Sequence, residues 1–139
     1  MPDPADIPSG TFVSTNINNR IAAAPAIGIG AGYGAAVTQG AGSGKATTVV
    51  INSRAGTITM NNAALASGAA IQFTCTNSFI GATDVVIVSC GTGGTAGAYQ
   101  AHCISVGAGT SVFRISNVSA GSLSEAVTIN FVVIDSVAA

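Results

Sequence analysis

The sequence predicts an all-β fold, a jelly-roll-like or other Greek-key β-sandwich of about seven to eight strands, behind an extended N-terminal arm rich in Gly, Ala and Pro. Three observations carry that expectation. From Thr47 onward, β-branched runs alternate with short Gly, Asn and Ser turns, at the spacing of a sandwich or barrel. No window shows the 3.6-residue apolar stripe of an amphipathic helix. Before residue 45 the texture differs: all 4 prolines, Pro2, Pro4, Pro8 and Pro25, fall there, and Gly28, Gly30, Gly32 and Gly34 recur at every second position. The expected division is an irregular arm over residues 1–44 and a sandwich over 45–139.

In chain order, Val37 is a candidate start for a short first strand within the arm. Thr47–Asn52 is a β-branched run closed by Ser53-Arg54-Ala55-Gly56, and Thr57–Met60 follows, closed by Asn61-Asn62. Ala70–Thr76 alternates cleanly, placing Ile71, Phe73 and Cys75 on one face and Gln72, Thr74 and Thr76 on the other, the period of a half-buried strand. Asp84–Cys90 is almost continuously apolar, which predicts a central strand covered on both faces. Tyr99–Val106 and Ser111–Asn117 flank Gly107-Ala108-Gly109, a hairpin loop. Ala126–Ile134 alternates again, with Val127, Ile129, Phe131 and Val133 inward. The segments from Thr59 to Phe73 and from Ser116 to Phe131 echo each other: a strand ending in Asn, a loop of small residues, then Ile-polar-Phe. That echo is compatible with two related halves of a jelly roll.

Charge is scarce. Charged residues make up 6% of the chain, with Lys+Arg 4, Asp+Glu 5 and a net charge of −1, against about 25% charged in an ordinary domain. Such a surface does little to keep copies apart, so it predicts packing against other protein, in an assembly or as a homodimer or homotrimer. Nucleic-acid binding needs clustered Lys and Arg, whereas Arg20, Lys45, Arg54 and Arg114 are scattered; an anionic membrane is excluded as a partner on the same ground. The start, Met-Pro-Asp-Pro-Ala-Asp, is acidic and proline-rich, unlike a signal-peptide n-region. The chain is therefore expected to be made in the cytoplasm.

Candidate chemistry is thin at every motif. Gln39 to Ala46 ends in Gly44-Lys45, but a nucleotide-binding loop places Gly where Gln39 stands and Ser or Thr where Ala46 stands. Cys75, Cys90 and Cys103 form no Cys-x-x-Cys and are expected to be free, buried thiols. His102, the only histidine, neighbours Cys103 on a strand, so the two point to opposite faces and do not share a metal ion. A hydrolase would need His102 as base, with Asp84, Glu125 or Asp135 to orient it. Asp84 reads instead as a turn residue bonding local amides, and Glu125 as a turn residue or a partner of Arg114. No enzyme, cofactor or metal site is expected.

Three strings resemble a known family: Gly56-Thr57-Ile58-Thr59-Met60-Asn61-Asn62-Ala63-Ala64-Leu65-Ala66-Ser67-Gly68, Ala82-Thr83-Asp84-Val85-Val86-Ile87-Val88, and Val118 to Ala126 with the tail Ile129-Asn130-Phe131-Val132-Val133-Ile134. Together they are similar to small proteins and C-terminal domains of tailed phages and prophages, the capsid cement or decoration proteins, over roughly residues 45–135. The resemblance implies a jelly-roll-like sandwich on the exterior of an icosahedral head, with the major capsid protein as partner and no catalytic residues to carry over. On that expectation Ile7, Phe12, Val13 and Ile17 are candidate capsid- or neighbour-contacting anchors in the arm; ordinary packing against the chain's own sandwich is the other role open to them. The alternative assignments are a tail-fibre or baseplate β-module binding a host surface, a small hydrolase, and a pilus-like surface subunit.

Overall fold

The computed structural model describes residues 34–136, and these form a two-layer β-sandwich. Its strands are β1 (Gly34–Thr38), β2 (Val49–Val50), β3 (Ala55–Thr59), β4 (Ala70–Thr76), β5 (Val85–Cys90), β6 (Tyr99–Gly107), β7 (Thr110–Asn117) and β8 (Thr128–Ile134), with one 3-10 turn at Gly44–Ala46. The first sheet runs β1-β3-β8-β5 and the second β2-β4-β7-β6. β1 pairs parallel with β3 and β2 parallel with β4, while β3–β8, β8–β5, β4–β7 and β7–β6 are antiparallel.

The chain crosses between the sheets at each connection except the β6–β7 hairpin and, as a result, winds like a jelly roll. β3 with its link to β4, and β7 with its link to β8, form one antiparallel ribbon. Ile58 opposes Ile129, Leu65 bridges Leu123, and Phe73 opposes Phe113 along its length. The two halves of the sequence echo therefore lie side by side. At the hairpin, Gly107 pairs with Thr110, leaving Ala108-Gly109 as the turn, and Gly109 takes φ +74°, a conformation glycine adopts without a Cβ clash.

The core lies between the sheets. Ile58, Phe113, Ile115, Ile129 and Val133 are fully buried, and Met60, Phe73, Val127 and Phe131 nearly so. Phe73 meets Phe113 edge-on at 5.6 Å between ring centroids, and Phe131 reaches Phe113 from the opposite sheet at 6.2 Å. Each such side chain contributes about 1.5–3 kcal/mol of burial. Gly56 lies on the inner face of β3, where a Cβ would come within 2.7 Å of the Ala35 carbonyl and 2.9 Å of the Phe131 ring. Only glycine lets β1, β3 and Phe131 pack this closely.

Three expectations change. Part of the segment before residue 45 belongs to the sandwich: β1, Gly34–Thr38, joins the first sheet, and Gln39 and Lys45 are buried in the body. Thr47–Asn52 pairs as a strand only over Val49–Val50, because it lies at a sheet edge and turns away after Ile51 bonds the Thr76 carbonyl. β5 is not central. It ends the first sheet, alternates between buried and exposed, and leaves Val85 and Ile87 about half exposed (53% and 51%). Ile7, Phe12, Val13 and Ile17 lie outside the described residues.

Candidate functional site

The residues able to do chemistry are dispersed over the sandwich. His102 is exposed on the outer face of β6, in a cross-strand row with Arg114 of β7 and Gln72 of β4. Among the described residues, no carboxylate pairs with it. Asp84 accepts from the Gly81 amide at 2.7 Å and from the Ser136 amide at 3.1 Å. Asp135 pairs with Arg54, whose guanidinium also lies 5.8 Å from the centroid of the Phe79 ring. Glu125 does not meet Arg114. It accepts from the Thr95 amide at 3.0 Å and the Thr95 hydroxyl at 2.7 Å, and these two bonds hold its carboxyl below the usual range.

The cysteines are free. Cys75 is completely buried in β4 and burial pushes its thiol up to about 11; Cys90 and Cys103 are half-buried rather than fully so, with burial again raising their thiols. Among the described residues, no three His, Cys, Asp or Glu side chains converge as metal ligands.

Lys45 sits inside the body at 4% exposure. Its Nζ donates to the backbone carbonyls of Asn61 and Glu125. Burial lowers the ammonium from its ordinary pKa of 10.5, opposed by the Glu125 charge. The glycine-rich stretch before it thus ends in a structural pin between two connections, and the side chain points away from solvent anions. Gln39 supports the same corner, donating to the Lys45 and Thr47 carbonyls and accepting from the Asn61 amide.

Two asparagines do similar work. Asn117, fully buried, donates to the Leu65 and Gly121 carbonyls, both at 2.8 Å, and accepts from the Ser119 amide and hydroxyl. Asn77, also fully buried, donates to Ser53 and accepts from the amides of Ser53 and Phe79. Such groups stay in the interior because every polar atom finds a partner.

A cleft of about 170 Å³ opens where the β5–β6 connection leaves the sheets, lined by Cys90, Gly91, Gly94, Thr95, Gly97 and Tyr99 among others. Burial, with the Glu125 carboxylate nearby, pushes the Tyr99 phenol up to about 12, and its hydroxyl makes no hydrogen bond of good geometry. The cleft therefore presents the Cys90 thiol, the Tyr99 phenol and glycine backbone, with the Glu125 carboxylate engaged by Thr95 at its edge.

The two outer faces differ. The second sheet shows Gln72, Arg114, His102 and Gln100 to solvent, and also exposes Val50 (62%) on β2 and Ile104 (42%) on β6, a mixed surface that carries charge. The first shows no charged side chain within its strands. Its outward rows are Val85 and Ile134; then Ile87, Val132, Ala55 and Gly34; then Ser89, Asn130, Thr57 and Ala36; then Thr128, Thr59 and Thr38. The Arg54–Asp135 pair stands at its rim, self-neutralised. That uncharged face is the least ordinary surface on the body, and sequence reasoning missed it by placing β5 in the sheet centre. Comparisons of the chain with protein-family models, with curated proteins and with solved structures give no match.

Proposed function

We propose that this chain is a structural protein of a tailed-phage virion, a capsid cement or decoration protein. It binds the outer surface of the icosahedral head and stabilises contacts between major capsid protein subunits. The observation that carries the proposal is the disposition of charge. Among the described residues, Lys45 is buried, Arg54 and Asp135 neutralise each other, and Asp84 and Glu125 bond backbone amides. Arg114 alone stands without a partner there. A rigid body of this kind can lie against other protein without stripping water from ions, a step that costs several kcal/mol per charge. Symmetry then repeats modest contacts many times over a shell, and avidity does what single-site affinity does not. The strings between residues 56 and 134 that resemble cement proteins support the same conclusion.

Ile7, Phe12, Val13 and Ile17 belong to the proposal as arm anchors that reach a capsomer or a neighbouring copy. The experiment adds purified protein to heads stripped of it and measures bound copies and the temperature of head rupture. Saturable binding with a raised rupture temperature supports the proposal, and no binding at saturating protein overturns it. Undiminished binding after deletion of residues 1–30 removes the anchoring role while leaving the cement role standing. The tail-fibre or baseplate alternative draws on Phe79, an aromatic exposed on a loop, and predicts host-glycan binding in place of head binding.

A further inference from the structure

We propose that the outer face of the first sheet is a self-association surface, on which a second copy of this chain stacks face to face about a two-fold axis running along the strands. That axis places β5 of one copy over β1 of the other, and β8 over β3. The rows suit it. In the row Ile87, Val132, Ala55 and Gly34, side chains grade across the sheet from bulky to small. Rotation sets the bulky half of each copy over the small half of its mate. The next row, Ser89, Asn130, Thr57 and Ala36, meets its own hydroxyls and amide in the same way. Two sheets packed at about 10 Å with aligned strands are the arrangement already used inside the sandwich.

Charge selects the occupant. Within its strands the face carries no formal charge, and at its rim stand the Arg54–Asp135 pair and the Asp84 carboxylate, which accepts from backbone amides, so the face itself offers nothing to an acidic or basic partner. An identical face brings no ion to be desolvated and no like charge to be opposed. Ile87, 51% exposed, loses water against Gly34 of the mate, and Val85 (53%) and Ile134 (37%) border the contact one row beyond the ends of β1 and β3. Size sets the strength. Four strands about 4.8 Å apart and about 20 Å long give roughly 400 Å² per copy, or about 800 Å² in total, below the ~1,200 Å² of a standard stable interface. The dimer is therefore weak in dilute solution and forms where copies are concentrated. Self-association is read on the purified chain alone, so its failure leaves the head-binding experiment untouched and the two proposals fall separately.

The experiment is sedimentation velocity on the full chain from ~1 μM to ~500 μM, with three variants checked for native circular dichroism. The wild type is expected to move from monomer to dimer across that range. Ile87→Lys, at a half-exposed position, raises the dissociation constant at least ~30-fold by placing an unpaired ammonium in the interface. Ile87→Lys combined with Gly34→Glu restores association, because the axis sets Ile87 of one copy over Gly34 of the other. Gln72→Lys, on the opposite sheet, changes nothing. A wild type that stays monomeric at ~500 μM, as it would if the face were covered by the chain's own residues 1–33, overturns the proposal. So does a dimer that Ile87→Lys leaves intact or that the double variant fails to recover.

Discussion

Replacing Asn117 with Ala should cost this small domain more than any surface substitution, and the amount can be worked from its contacts. The side chain is fully buried between the β3–β4 and β7–β8 connections. It donates to the Leu65 and Gly121 carbonyls at 2.8 Å each and accepts from the Ser119 amide and hydroxyl at 3.0 and 2.7 Å. Each carbonyl keeps a second donor, the Leu123 amide on Leu65 at 3.1 Å and the Ser119 hydroxyl on Gly121 at 3.0 Å, so Asn117→Ala removes bonds without orphaning either acceptor. At about 0.5–1.5 kcal/mol per lost bond, the sum for Asn117→Ala is about 2–3 kcal/mol, or roughly 10–20 °C in Tm for a domain of this size. Ser119→Ala should cost only about 1 kcal/mol. Asn117→Asp adds a test of sign. Its carboxylate would face two carbonyl oxygens, so its folded pKa rises above the unfolded value, and the variant is most stable in acid and weakens as pH rises through that raised pKa. Urea unfolding followed by far-ultraviolet circular dichroism measures all three. A loss below 1 kcal/mol for Asn117→Ala with an unchanged m-value would refute the clamp.

Other outcomes follow from buried or engaged groups. Lys45→Met removes the donor shared by the Asn61 and Glu125 carbonyls and should cost about 2 kcal/mol, the lost bonds being partly offset by removal of a buried charge. Because burial holds Lys45 below 10.5, the unfolded chain binds this proton more tightly. Stability should rise with pH in the window below 10.5, and the rise should flatten in Lys45→Met melts recorded across that range. Glu125 is held below 4.5 by Thr95, so its contribution is present above 4.5 and lost as pH falls through the lower folded value; acid titration of Glu125→Gln should show a shallower loss. Cys75, with its thiol pushed up to about 11 and no exposure, should react with a disulfide reagent only after unfolding. Cys90 and Cys103 should react first and slowly, as peptide mapping of a labelling time course would reveal.

How much of this was legible in the sequence depends on where each side chain's neighbours come from. β4 was read end to end, Ala70 to Thr76, because a half-buried strand writes its own period into the sequence. β8 and the hairpin between β6 and β7 were legible for the same reason. β5 was misplaced because Val85 and Ile87 are apolar yet face outward; a run covered by a second layer and a run facing an uncharged surface have the same composition. β1 is five small residues, Gly-Ala-Ala-Val-Thr, and its pairing comes from β3, some twenty residues later. The roles of Lys45, Asn77 and Asn117 were hidden because their partners are loop carbonyls brought together only by the fold. Glu125 was read as a turn residue or a partner of Arg114, and the structure gives it Thr95, which supplies both donors.

The measurement closest to the central claim is quantitative mass spectrometry of purified virions that carry this protein, counting its copies against those of the major capsid protein. A cement protein is present at a copy number of the same order as the capsid protein. A count of a few dozen copies or fewer would contradict that role and move the protein to the tail.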